Sequence, residues 1–190
     1  MTWLVVGLGN PGDEYAATRH NVGQMVIDHL VKRHSIKLAS HKSRTSIAAY
    51  KLGVGVDAHP VILAKSNSYM NETGGPVKAL ANFYSVEPAK IIVLHDELDI
   101  DFAAIRLKQG GGDNGHNGLK SMTSAFSANY FRIRLGIGRP TGQQDPADFV
   151  LKQFSQPEKK ELPLFLDRGA DVVETLIEKG LDFTQSKFNS

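Results

Sequence analysis

The chain carries a small set of side chains suited to hydrolysis by an activated water. His20 is the best candidate general base, because imidazole titrates near neutral pH and can take a proton from an attacking water. Asp96 follows an apolar run, Ile91 to Leu94, within His95-Asp96-Glu97. A carboxylate there could accept the His20 Nδ1–H and hold the tautomer that leaves Nε2 free. Asn10, Asn71 and Asn117 can donate and accept hydrogen bonds without charge. They suit a carbonyl, its developing oxyanion or a peptide backbone. No Ser stands in a G-x-S-x-G context and Cys is absent, so water is favoured over a side-chain nucleophile.

Each of these residues also has a plainer reading. Asn and Gly ahead of helices commonly cap or turn the chain, so Asn71, Asn114 and Asn117 taken singly are structural more often than not. A lone His20, His95 or His116 is more commonly a surface or capping residue than a catalyst. Asp96, Glu97 and Asp99 fit a solvated strand end. If His20, Asp96 and His116 converged they would also offer zinc ligands, but no local ligand spacing such as H-E-x-x-H is present.

The elements that must position these residues are legible. Four polar stretches, Asn10 to His20, Ser66 to Asn71, His95 to Asp99 and Gly110 to Asn117, each follow a strand pattern. Ligands collect beyond the carboxyl ends of strands in an open α/β sheet, a rule that would bring the four together. The strand patterns are Trp3 to Val6, Ile91 to Leu94, Ile105 to Lys108 and Arg132 to Leu135, plus a hairpin of Thr45 to Leu52 and Pro60 to Ala64 joined by Gly53-Val54-Gly55.

Helical spacing marks Val22, Met25, Val26 and Leu30; Val77, Leu80, Ala81 and Tyr84, with Pro76 near the start; and Leu119, Met122 and Phe126. Ser155 to Glu158 fits a capping box ahead of an apolar stripe from Leu162 to Ile177, which Gly180 can close. Pro163 inside that stripe predicts a kink or short break. Thr184 to Ser190 reads as a fraying tail. Strands alternating with helices predict an α/β fold: one domain over residues 1–190, with a twisted mixed β-sheet flanked by helices on both faces.

Gly7 to Gly12 fits the dinucleotide fingerprint G-x-G-x-x-G after a strand. That reading needs a helix to open at Gly12 with its free N–H groups toward a pyrophosphate. Asp13 and Glu14 would repel one, Asp28 lies within a helical pattern, and Asp13 stands where a P-loop needs Lys. Nucleotide binding here is disfavoured.

A net charge of +2 is too small to announce a nucleic-acid binder, so any such binding must come from local clustering of the 22 Lys and Arg. Arg106 with Lys108, and Arg132 with Arg134, each lie two apart and share a strand face. A phosphate-binding strip and an exposed antiparallel face fit that spacing equally. The absence of Cys excludes disulfides and thiolate chemistry and fits a cytosolic setting. No apolar run approaches the roughly 20 residues that span a bilayer, and signal-peptide flanks are lacking.

The strings GLGNPGDEYAATRHN (7–21), SYMNETGGPV (68–77), HDELD (95–99), RLKQGGGDNGHNGLKS (106–121), FRIRLGIGRP (131–140) and DFVL (148–151) together resemble bacterial peptidyl-tRNA hydrolase. They cover most of the chain in family order. The resemblance implies hydrolysis of the ester between a peptide's C-terminal carboxyl and the ribose at the tRNA 3′ end. It implies a cytoplasmic monomer with no metal, no cofactor and no membrane partner. It assigns His20 as base, Asp96 as the group orienting it, and Asn10 and Asn71 to the carbonyl and water. Asn117 falls at the peptide–ribose junction, and Tyr15 and Met70 match positions lining the crevice. Lys108 and Arg134 match the pair that clamps the tRNA 5′ phosphate. Gly110 to Gly115 and roughly Gly138 to Val150 match mobile segments bordering the cleft. Asp113-Asn114 departs from a pattern more often containing glycine and histidine, and the stretch after Gly142 matches weakly. A metal-dependent peptidase or amidase and a non-catalytic RNA-binding module are the competing classes.

Overall fold

Strands that are apolar without alternation belong at the centre of a sheet covered on both faces. β1 (Trp3–Gly7) and β5 (Ile91–Glu97) are buried at every position and pair in parallel. The computed structural model describes residues 1–189. Around the central pair it places β2 (Ala39–His41), β3 (Thr45–Leu52), β4 (His59–Ser66), β6 (Ile105–Gln109) and β7 (Phe131–Gly136) in the order β2-β3-β4-β1-β5-β7-β6. β4, β1, β5 and β7 run parallel, while β2, β3 and β6 are antiparallel to their neighbours. The helices are α1 (Val22–Arg33), α2 (Gly74–Phe83), α3 (Asn117–Phe126), α4 (Pro146–Val150), α5 (Gln156–Lys179) and α6 (Leu181–Phe188).

The period-two alternation of the strands splits the core. Val5, Ile92 and Leu94 pack with Val26, Ile27 and Leu30 of α1 and with Phe165, Val173 and Leu176 of α5. Leu4, Val6, Ile91 and Val93 pack with Val77 and Leu80 of α2 and with Leu119, Met122 and Phe126 of α3. The fold is α/β, with a mixed sheet between helical layers, as the pattern predicts. α1 lies so close to the sheet that a Cβ on Gly23 would stand 2.2 Å from the Leu94 carbonyl oxygen. That approach sets the height of the turn carrying His20 above β5.

The structure corrects several expectations. β5 continues through His95, Asp96 and Glu97 instead of stopping before them. α5 runs unbroken through Pro163, with the expected capping box at Ser155 and Glu158. Pro163 and Lys159 are exposed, so the carbonyl deprived of its partner meets water, and Phe165, Ala170 and Val173 anchor the helix beyond. The tail is folded to Asn189: Thr184 is fully buried, and Gln185 and Asn189 bond the main chain of Leu107 on edge strand β6. Ser190 lies outside the described residues. The short β2 and α4 gave no sequence signal.

Gly12 opens no helix. α1 begins only at Val22, after a single 3-10 turn at Arg19–Asn21, which removes the geometry a pyrophosphate would need.

Candidate active site

The 3-10 turn ahead of α1 carries His20 to the carboxyl end of β5. There His20 Nδ1 donates to Asp96 Oδ2 over 2.8 Å. The other carboxylate oxygen, Oδ1, is taken by His116 Nε2 at 2.7 Å. His116 is the N-cap of α3, and its Nδ1 accepts from the N–H groups of Gly118 and Leu119 at 3.0 and 3.3 Å. An Nδ1 that accepts must be unprotonated, so Nε2 carries the hydrogen given to Asp96. The two imidazoles therefore meet one buried carboxylate, and His20 keeps Nε2 for the cavity it lines.

Burial opposes a charged imidazole at His20, but the charge and hydrogen bond of Asp96 outweigh it and raise its pKa above the ordinary 6.5. Burial would favour a neutral Asp96, yet His20 and His116 hold the carboxylate ionised well below its usual range. The neighbouring His95 is a different case. Burial, with the adjacent His116, pushes it down to about 3, and its Nδ1 bonds the Asp96 carbonyl oxygen at 2.8 Å.

His20, Asp96 and His116 do bring potential metal-ligand atoms within 4.8 Å of one another. Two ligands held about 2.0 Å from a tetrahedral zinc would lie about 3.3 Å apart. The 2.7 and 2.8 Å separations here are direct hydrogen bonds, closer than that ligand spacing.

Asn10, just past β1, is fixed on three sides. Its Oδ1 accepts from Met70 N at 2.7 Å. The side chain of Asn21 bonds both its backbone N–H and its carbonyl, each at 2.9 Å. With the oxygen engaged, the Nδ2 donor is left to the cavity. Met70 and Asn71 sit on a short 3-10 turn between β4 and α2, and Asn117 opens α3. Asn10, His20, Met70, Asn71, Asp96 and Asn117 all line one cavity of about 460 Å³. Tyr69, Leu98 and Leu151 give it an apolar lip. Tyr15 stands one ring away, edge-on to Tyr69 with centroids 6.4 Å apart.

The loop from Gly110 to His116 reaches this site by an unexpected route. β6 is antiparallel, so Gln109 lies level with Phe131 and Ile92, at the opposite end of β5 from Asp96. The chain climbs the face of the sheet to return. Arg132 holds it there: its fully buried guanidinium donates to the carbonyls of Gly111 and Gly112. Gly111 on this strap has φ +101°, a left-handed conformation that favours glycine.

Lys108 and Arg134 share this face and line a second cavity of about 340 Å³, with Arg132 in its wall. Burial, then the neighbouring Arg134 and Arg132, lowers the Lys108 pKa. Arg134 is tied to Glu97 Oε1, with Nε and Nη2 each at 3.3 Å. His95, Glu97 and Asn114 border both cavities.

Residues 4–190 match the family model described as peptidyl-tRNA hydrolase. The chain belongs to the peptidyl-tRNA hydrolase family. It is similar to the peptidyl-tRNA hydrolase of Frankia alni, 54% identical over 189 residues that cover 99% of this chain and 94% of the relative. The Streptomyces coelicolor enzyme of that name is 54% identical over 190 residues, covering 99% and 95%. The crystal structure of peptidyl-tRNA hydrolase from Acinetobacter baumannii superposes with a TM-score of 0.89 at 33% identity, covering 100% of this chain and 95% of that one.

The strings that carry the peptidyl-tRNA hydrolase resemblance thus come from separate elements and face common cavities. Sequence reasoning undervalued three residues. From sequence His116 reads as a cap or a metal ligand, and it is a cap that also binds Asp96. Asn21 gave no signal beyond being polar. Glu97 read as a solvated strand end, yet it is 6% exposed.

Proposed function

We propose that the chain hydrolyses the ester joining the peptide carboxyl to the 3′-terminal ribose of peptidyl-tRNA, with His20 activating the water. The observation that carries this is the His20–Asp96 hydrogen bond standing on a cavity edged by three neutral amides, Asn10, Asn71 and Asn117. His20 Nε2 takes a proton from water as it attacks the ester carbonyl. Asp96 stabilises the imidazolium through the Nδ1–H bond, and amide N–H groups meet the oxyanion. Collapse of the tetrahedral species expels the ribose 3′ oxygen, which recovers the proton from His20. An acyl ester of this kind is activated, so positioning, one base and neutral donors suffice.

In the same reading the acceptor end enters the first cavity and the 5′ phosphate reaches Lys108 and Arg134 in the second. A tRNA partner agrees with a basic pocket on a nearly neutral protein, which favours release. Among the described residues no helix is long and apolar enough to cross a membrane. We place the enzyme in the cytoplasm as a metal-free monomer.

The test is release of free tRNA from a purified N-blocked aminoacyl-tRNA in excess EDTA, by the wild type and by His20→Ala. The expected result is EDTA-resistant release that the variant loses by about 100-fold or more, with tRNA binding retained. Release only without EDTA would hand the site to a metal; no release at all would leave an RNA-binding module.

A further inference from the structure

We propose that Glu97 is a positioning residue that couples occupancy of the basic pocket to the loop forming one wall of the catalytic cavity. The inference rests on the phosphate reading of the pocket around Lys108 and Arg134. Glu97 is buried at the end of β5 and borders both cavities. Its two oxygens face opposite tasks. Oε1 accepts from Arg134 Nε and Nη2, both at 3.3 Å. Oε2 accepts from Asn114 Nδ2 at 3.0 Å and from the Asp99 N–H at 3.3 Å. Asn114 also donates to Asp99 Oδ2 at 2.6 Å, and Arg139 Nε holds Asp99 Oδ1 at 2.6 Å.

The geometry makes Arg134 exchangeable. A well-formed charge-assisted N–H···O bond is about 2.7–2.9 Å long, so both contacts at 3.3 Å are stretched. A phosphate offers more charge and more acceptor oxygens than one carboxylate oxygen, and Lys108 adds to its attraction. When Arg134 turns to the phosphate, Glu97 is left with Asn114 and the Asp99 N–H as its partners. A buried carboxylate cannot stand unpaired, so its hold on Asn114 tightens. Asn114 lies two residues from His116, which binds Asp96, and three from Asn117, which lines the catalytic cavity. The loop that carries these groups is fixed at its base by Arg132 and at its tip by Glu97. Phosphate binding then orders the catalytic cavity, and its effect falls on kcat as well as on KM.

The experiment compares N-acetylated aminoacyl-tRNA bearing a 5′ phosphate with the same substrate after removal of that phosphate. In the wild type, dephosphorylation should raise KM and lower kcat about fivefold or more, the ordinary scale of coupling between sites. In Glu97→Gln, which keeps the shape and removes the charge, the two substrates should share one kcat to within about twofold while KM still separates them. Asn114→Ala, on an exposed loop, should do the same by cutting the other end of the link, and it decides the matter if Glu97→Gln does not fold. A wild type sensitive only in KM would overturn the coupling and keep the phosphate pocket. A wild type indifferent to the phosphate in both constants would overturn the pocket reading and the coupling with it. An undiminished kcat difference in the variants would remove Glu97 from the role.

Discussion

Asp96 accepts hydrogen bonds from two imidazoles at once, His20 at 2.8 Å and His116 at 2.7 Å, one on each oxygen. An Asn at this position has only one oxygen to offer, so one of its neighbours would face an N–H instead of an acceptor.

Asp96→Asn should therefore lower kcat about 100-fold or more and move the pH profile. In the proposed role His20 acts as a base only when neutral, and Asp96 raises its pKa. Wild-type kcat/KM should rise with pH through a half-point above 6.5, and in the variant that half-point should fall. An unchanged profile would separate Asp96 from the titration of His20.

Acid stability follows from the same pair with the opposite sign. The folded-state pKa of Asp96 is depressed, so its contribution is fully present above the unfolded value of about 3.9 and is lost as pH falls toward the folded one. The raised pKa of His20 gives a contribution present below about 6.5 and lost as pH climbs through its folded value. Urea midpoints measured from pH 5 to pH 3, a window below the His20 contribution's onset, should decline less steeply for Asp96→Asn than for wild type.

His116 supports both α3 and Asp96. His116→Ala removes the cap, costing about 1 kcal/mol, and the partner of a buried carboxylate oxygen, costing about 1–3 kcal/mol more. His116→Asn can cap again and should recover the first part only. Urea unfolding of the two variants separates the contributions.

The basic residues of β6 and β7 divide by burial. Lys108→Ala should weaken tRNA binding and reduce the salt slope by about one, with little change in the urea midpoint. Arg132→Leu strands two glycine carbonyls and should cost about 3 kcal/mol of stability. Measuring salt-dependent binding and unfolding for both variants checks the division.

Truncation after Gly180 should destabilise the protein by about 3 kcal/mol, from three lost hydrogen bonds to the main chain of Leu107. It also uncovers β6, an edge strand open to pairing with other chains. A lower urea midpoint together with concentration-dependent aggregation is the expected outcome; an unchanged midpoint would return α6 to the status of a loose tail.

Local chemistry let the sequence determine much of this. The apolar runs of β1 and β5, the stripe of α5 with its Ser155–Glu158 cap, and the hairpin from Thr45 to Ala64 are written in periods of two and 3.6. The family strings named His20, Asp96 and the three asparagines. Long-range geometry was not legible. Nothing local distinguishes Arg132 from Arg134, two residues apart on one face, yet Arg132 is fully buried and holds the glycine strap while Arg134 is tied to Glu97 at the pocket. The direction of β6 is decided by pairing with β7, and it sends the glycine loop up the sheet from the far end. Only that climb brings His116 to Asp96 and Asn114 to Glu97, across 20 and 17 positions of chain. Side-chain spacing fixes which residues share a face; burial and partner choice depend on what the rest of the chain lays over that face.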